Sequence, residues 1–256
     1  MRAILCLLFS LMAGSLLAQD KPQDHQLTVH TFKQTTLDEL RSDYLLFLPV
    51  EFEKKSEKRW PLILFLHGAG ERGSNAWTTD IHGPAKYIAD HLEFPFVMVS
   101  PQCPSNQVWS TRVLLALLDE VVNSYNVDTN RIYLTGLSMG GFGAWDLALA
   151  APGRFAAVIP ICGGGEDLIP DLARLGYTTP REKELLKTLP VWAFHGGKDT
   201  VVRPEESDRM IGALRDLGNT NANLTIYPEA QHNSWDQTYT NSQIYTWLLQ
   251  HKNPRK

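Results

Sequence analysis

Cysteine is scarce. Cys6, Cys103 and Cys162 are the only three in 256 residues. That is too few for the disulfide framework of a small exported domain, and no Cys/His spacing of a zinc site occurs. A single Cys103–Cys162 bridge would suit an oxidising compartment. Both residues follow apolar strand-like runs, so burial as small hydrophobes is the alternative. Neither sign of charge dominates, with 24 basic and 28 acidic residues and a net charge of −4. Without a basic stripe, nucleic acid is not an expected partner. The densest charge run, "EKKSEKR" over 53–59, mixes signs and reads as a solvated loop. No apolar run after the first twenty residues is long enough to span a membrane. Internal repeats, low-complexity tracts and Pro/Ser linkers are also missing, and the histidines lack the His-Glu-x-x-His pattern, so neither metal nor cofactor is expected.

What is present begins with "MRAILCLLFSLMAGSLLAQD". One basic residue, an apolar stretch and small residues before a polar start predict a secretory leader over 1–18, with an uncleaved anchor as the alternative. The remaining 19–256 is expected to be one domain, exported to the periplasm or beyond. At 43% hydrophobic residues, it can bury a full-sized core.

Strand-like and helix-like segments alternate through that domain. "LTVHTF" and "YLLFLPV" open it as strands. "WPLILFLHG", "FPFVMVSP", "RIYLTG", "FAAVIPICGG", "LPVWAFHGGKD" and "ANLTIYP" follow, several of them continuous apolar runs that suit strands buried on both faces. "TRVLLALLDEVVNSY" has helical spacing with Thr111 placed as its N-cap, "PEESDRMIGALRDLG" carries acids in its first turn and stops at Gly218, and "SQIYTWLLQH" closes the chain. The alternation predicts an α/β fold with a mostly parallel sheet and helices on both faces.

"TGLSMGGFGAW", residues 135–145, joins a strand to a helix with three glycines and a serine in seven residues. In Gly-x-Ser-x-Gly the glycines stand where side chains would strike neighbouring backbone if Ser138 occupied a very tight turn. A serine so exposed becomes a nucleophile when a base takes its proton, and a carboxylate must then orient that base. Asp199, in "HGGKDTVV", and His232, in "QHNSW", both follow strands and come after Ser138. Asp167 or Asp171 are other carboxylates for the role. His195, His67 and His82 are other histidines, although His67 and His195 close strands just before glycines and suit loop bracing better. The backbone N–H of Met139, next to the serine, is an oxyanion donor by its position.

The order Ser138, Asp199, His232 is that of the α/β-hydrolases, and the chain resembles that superfamily over nearly its whole mature length. "LHGAGERG", "GLSMGG", "FHGGKDTVV" and "QHNSW" are most similar to small secreted carboxylesterases akin to feruloyl esterases, polyhydroxybutyrate depolymerases and dienelactone hydrolases. The roughly twenty residues between "CGGGED" and "TLPVWAF" are too few for a large lid. The resemblance implies an α/β-hydrolase fold and ester hydrolysis through an acyl-enzyme. It assigns the second oxyanion donor to Ala69, with Gly70 as the neighbouring choice. Substrates expected are short-chain esters or esters linked to carbohydrate, acetyl or feruloyl in type. A peptidase of the prolyl-oligopeptidase type and a non-catalytic binding protein are the competing readings. Trp109, in "PQCPSNQVWSTR", is expected to face the ligand, with Trp77 and Trp235 as weaker candidates. Glu71 and Arg72 are expected to pair and buttress their loop.

Overall fold

The computed structural model describes residues 27–35, 39–91, 93–165 and 179–253. The expected leader, Asp167 and Asp171 lie outside them. The described strands are β1 (Leu27–Thr35), β2 (Glu39–Phe47), β3 (Trp60–Leu66), β4 (Val97–Pro101), β5 (Val127–Leu137), β6 (Ala157–Ile161), β7 (Val191–Gly196) and β8 (Ala222–Tyr227). They form a single sheet in the order β1-β2-β4-β3-β5-β6-β7-β8. From β4 to β8 every neighbouring pair is parallel, and β1–β2 and β2–β4 are antiparallel. The expected mostly parallel sheet is therefore the one observed.

Alternation along β3 explains why this sheet needs cover on both faces. Leu62, Leu64 and Leu66 enter one core and Ile63 and Phe65 the other, and the whole strand is buried. The first core is closed by α2 (Thr111–Ser124), α3 (Met139–Ala150) and α5 (Glu205–Asp216). The second is closed by α1 (Pro84–Ile88), α6 (Ser234–Tyr239) and α7 (Ser242–Leu249). A further short helix, α4 (Pro180–Leu186), leads into β7. Helix α2 buries Leu114, Leu117, Leu118 and Val121, one stripe at helical spacing. Helix α3 is buried nearly all round, as a helix at the centre of one layer must be.

Three local expectations need correction. Ser110, not Thr111, caps α2, its hydroxyl accepting from Val113 N–H at 3.4 Å. The second strand runs over Glu39–Phe47 rather than 44–50, because hairpin pairing with β1 extends it backwards and Pro49 has no N–H to continue it. The strand expected at "RIYLTG" starts earlier, at Val127, which pairs with Trp60 across a register shift. Gly218, at φ +95°, does stop α5. Its N–H donates to Arg215 O and that of Asn219 to Leu214 O, as in a Schellman cap. Cys103 and Cys162 are both free and buried.

Candidate active site

Strand order reverses around β3, and the segments of interest leave the carboxyl ends of β3, β5, β7 and β8, where such sheets gather ligands. Ser138 alone separates β5 from α3, with φ 52° and ψ −118°. A non-glycine residue held there costs on the order of 1–3 kcal/mol. The turn is possible because its neighbours lack side chains. A Cβ on Gly136 would lie 2.2 Å from Gly140 O, and one on Gly140 would lie 1.9 Å from Leu66 O. The loop after β3 is thus pressed against the elbow.

Asp199 lies in the turn after β7 and His232 in the turn after β8. A Cβ on Gly196 would fall 2.1 Å from Gln231 O, so these turns also meet backbone to backbone. His232 Nε2 is 2.8 Å from Ser138 Oγ, and its Nδ1 is 2.7 Å from Asp199 Oδ2. Asp199 Oδ1 accepts from Val201 N–H at 2.9 Å and Val202 N–H at 3.0 Å. Burial pushes the Asp199 carboxyl up, but hydrogen bonds from His232, Val202 and Val201 outweigh it and hold it below the usual value. The carboxylate is therefore charged at neutral pH and fixes Nδ1 as the protonated nitrogen, leaving Nε2 to accept from the serine. Cys162, also at positive φ (39°), brings its sulfur within 4.8 Å of the ligand atoms of Asp199 and His232. Burial pushes that thiol up to about 12, so it faces them uncharged.

His67 and His195 brace loops. His67 Nδ1 donates to Gly68 O at 2.7 Å, and Nε2 accepts from Cys103 N–H at 3.0 Å, tying the end of β3 to that of β4. His195 is buried beside Asp199, and His82 lies 3.9 Å from Glu71. The Glu71–Arg72 pair is not formed. Arg72 donates instead to Ala69 O at 3.0 Å and Gln107 O at 3.1 Å, because its side chain reaches back across the loop.

Burial pulls the His67 imidazole down to about 4, against the Gly68 hydrogen bond that favours its charged form. The unfolded chain then takes up the proton first as pH falls below about 6.5, so stability drops from there down to about 4. The fully developed loss should be on the order of 3 kcal/mol. Denaturant unfolding across this range should show it, with a shallower slope in His67→Gln. A slope unchanged by the substitution would assign the loss to other groups.

Met139 opens α3 and Ala69 opens a 3-10 turn over Ala69–Glu71, so both N–H groups lie at helical starts, where no carbonyl of the same helix can accept them. Beside Ser138 lies a cavity of about 380 Å³ lined by Val108, Trp109, Met139, Phe142, Gly143 and Asp146. Trp109 lines it while anchored by Nε1 to His67 O at 3.2 Å and edge-on to the His67 ring. Trp235 instead stands edge-on to His232, with ring centroids 5.2 Å apart, and Trp77 is exposed outside the cavity lining. Phe142 and Asp146 were not singled out from sequence. With Met139 and Gly143 they occupy positions i, i+3, i+4 and i+7 of α3, a helical face that periodicity can reveal.

Residues 100–242, more than half of the chain, match the dienelactone hydrolase family. The chain belongs to that family. Its fold is accordingly that of the α/β-hydrolases. A bifunctional acetylxylan esterase/xylanase of Neocallimastix patriciarum is 25% identical over 73% of this chain, which spans 26% of that protein. A poly(3-hydroxyalkanoate) depolymerase C of Paucimonas lemoignei is 29% identical over 37% of the chain, which spans 27% of it. The chain thus spans about a quarter of the length of these curated relatives. Among solved structures, a thermostable esterase is similar with 32% identity and a TM-score of 0.71, over 89% of this chain and 63% of that one.

Proposed function

We propose that this member of the dienelactone hydrolase family is a serine carboxylic-ester hydrolase that works through an acyl-enzyme. The hydrogen-bonded run Ser138–His232–Asp199, at 2.8 and 2.7 Å, carries this reading. His232 takes the serine proton as Ser138 Oγ attacks the ester carbonyl, and Asp199 stabilises the resulting imidazolium. The tetrahedral oxyanion is received by the N–H groups of Met139 and Ala69. His232 then protonates the departing alcohol. A water deprotonated by His232 attacks the acyl-enzyme, and the acid leaves as the serine is restored. These steps use the chain's own residues and need no cofactor.

The cavity supports a bulky substituent on the ester. Asp146 lies eight residues beyond Ser138 on α3, about 12 Å along the helix axis. Most of the lining is apolar, and Asp146 brings a carboxylate to it. The acetylxylan activity named for the Neocallimastix relative supports an ester linked to carbohydrate. Export through the expected leader would bring the enzyme to such polymers.

A panel of p-nitrophenyl acetate and butyrate, methyl ferulate, acetylated xylan and a p-nitroanilide tests the proposal on the full chain. Hydrolysis of esters without the anilide is expected. Cleavage of the anilide in preference to every ester would make the chain a peptidase, and no cleavage at all would favour a binding role. Trp109→Ala should lower kcat/KM for ferulate about tenfold more than for acetate, because the ring walls the cavity. Its half-buried ring should also cost less stability than the ~3–5 kcal/mol of a fully buried tryptophan. A uniform loss on all esters would make Trp109 scaffold alone.

A further inference from the structure

We propose that His195 is a positioning residue of the triad: a neutral Nε2–H donor that fills the last acceptor site of Asp199 and so limits how strongly the carboxylate holds His232. The proposal rests on the acyl-transfer reading above. His195 Nε2 lies 2.9 Å from Val202 O and 3.2 Å from Asp199 Oδ2. A carbonyl oxygen only accepts, so Nε2 carries the hydrogen, shared between the two oxygens. Nδ1 lies 2.7 Å from Ser207 Oγ, whose single hydrogen it can accept; Gly163 O, at 3.2 Å, is the hydroxyl's longer contact. Burial favours the uncharged ring this arrangement needs, although Val202 O and Asp199 pull the other way.

Asp199 then has four donors. Two backbone N–H groups reach Oδ1, while His232 from the turn after β8 and His195 from the end of β7 approach Oδ2 at 2.7 and 3.2 Å. Both His195 and Asp199 side chains are wholly buried, so water cannot replace a lost donor. Around the pair, the end of β6 presents the uncharged Cys162 thiol, and the turn after β8 presents His232. Helix α5 presents Ser207, while its Glu206 is salt-bridged to Arg209 at 2.8 Å. Lys198 pairs with the exposed Glu229. No fixed positive charge among these groups competes with His232 for Asp199. The His195 N–H does, drawing carboxylate charge away from the imidazolium and easing its return of the proton to the leaving alcohol.

The test is the titration of His232, followed without substrate by NMR of ¹³C- or ¹⁵N-labelled histidine and, separately, through the acid limb of kcat/KM. Removing the donor in His195→Phe should raise the His232 midpoint by about half to one pH unit. Activity on the acid side should accordingly fall about three- to tenfold. His195→Gln, which keeps an N–H donor, should recover most of the shift. Ser207→Ala leaves the ring in place but frees its tautomer, and should give a smaller upward shift if His195→Phe does not fold. A His232 midpoint unmoved in the folded variants, with only thermal stability changed, would overturn the proposal and leave His195 as a brace. If wild-type NMR shows His232 titrating but no ester is hydrolysed, the enzymatic reading fails instead.

Discussion

Ser138→Ala is expected to lower ester turnover by about a millionfold while the protein melts cooperatively near the wild-type temperature. The two effects separate because the proposed role of the serine is chemical and its side chain does little packing. Its side chain projects from the elbow toward His232, and the backbone bonds that hold the turn run through its N–H to Ile161 O and its O to Phe142 N–H. Alanine keeps both backbone bonds. It removes the oxygen that lies 2.8 Å from His232 Nε2 and is proposed as the acyl carrier. The residual rate should come from the oxyanion donors and the cavity alone. Turnover near the wild-type value would place the nucleophile elsewhere.

Gly140→Ala should show the opposite pattern and damage the fold itself. The added Cβ would sit 1.9 Å from Leu66 O, 2.5 Å from Leu66 C and 2.7 Å from His67 O. These are backbone atoms at the end of β3, so no rotamer change relieves the contact. Either α3 lifts away from the sheet or the loop carrying Ala69 moves out. The cost should exceed the ~1–3 kcal/mol of ordinary overpacking, seen as a fall of roughly 10 °C or more in Tm. Activity should vanish with it, since Met139 and Ala69, the proposed oxyanion donors, sit beside that contact. Gly212→Ala is the matched control. Nothing lies within 4 Å of its added Cβ, and it falls inside α5. It should be neutral or stabilise by about 0.5–1 kcal/mol. A Gly140→Ala variant as stable as wild type would contradict the packing described for the elbow.

The elbow could be read from sequence because its requirements are local. Gly136, Ser138 and Gly140 fall within five consecutive residues, and their collisions follow from one turn. Asp199 and His232 were legible because each lies in a short polar turn a few residues past the end of a strand. The sheet was legible because buried parallel strands are nearly continuous apolar runs, as in β3. Short elements were harder. Helix α6 and the 3-10 turns over Ala69–Glu71 and Ala76–Asp80 are too brief to show helical periodicity. The start of the second strand is hidden in the sequence because polar residues such as Arg41, Ser42 and Asp43 sit in β2 by pairing with β1, which no pattern within β2 reveals. His195 could be placed as a brace, but its contact with Asp199 depends on how the turn after β7 curls back. Likewise Arg72 sits beside Glu71 in sequence yet reaches Gln107, thirty-five residues on.

The most direct test is covalent capture of the nucleophile. The purified chain should be treated with a fluorophosphonate, which reacts with a serine only where a base and oxyanion donors activate it. Peptide mass spectrometry then locates the adduct. One phosphonyl group on Ser138, with ester hydrolysis lost in proportion to labelling and no adduct in His232→Ala, is the result expected from the Ser138–His232–Asp199 geometry. An adduct on another residue, or full esterase activity in protein labelled at Ser138, would contradict it.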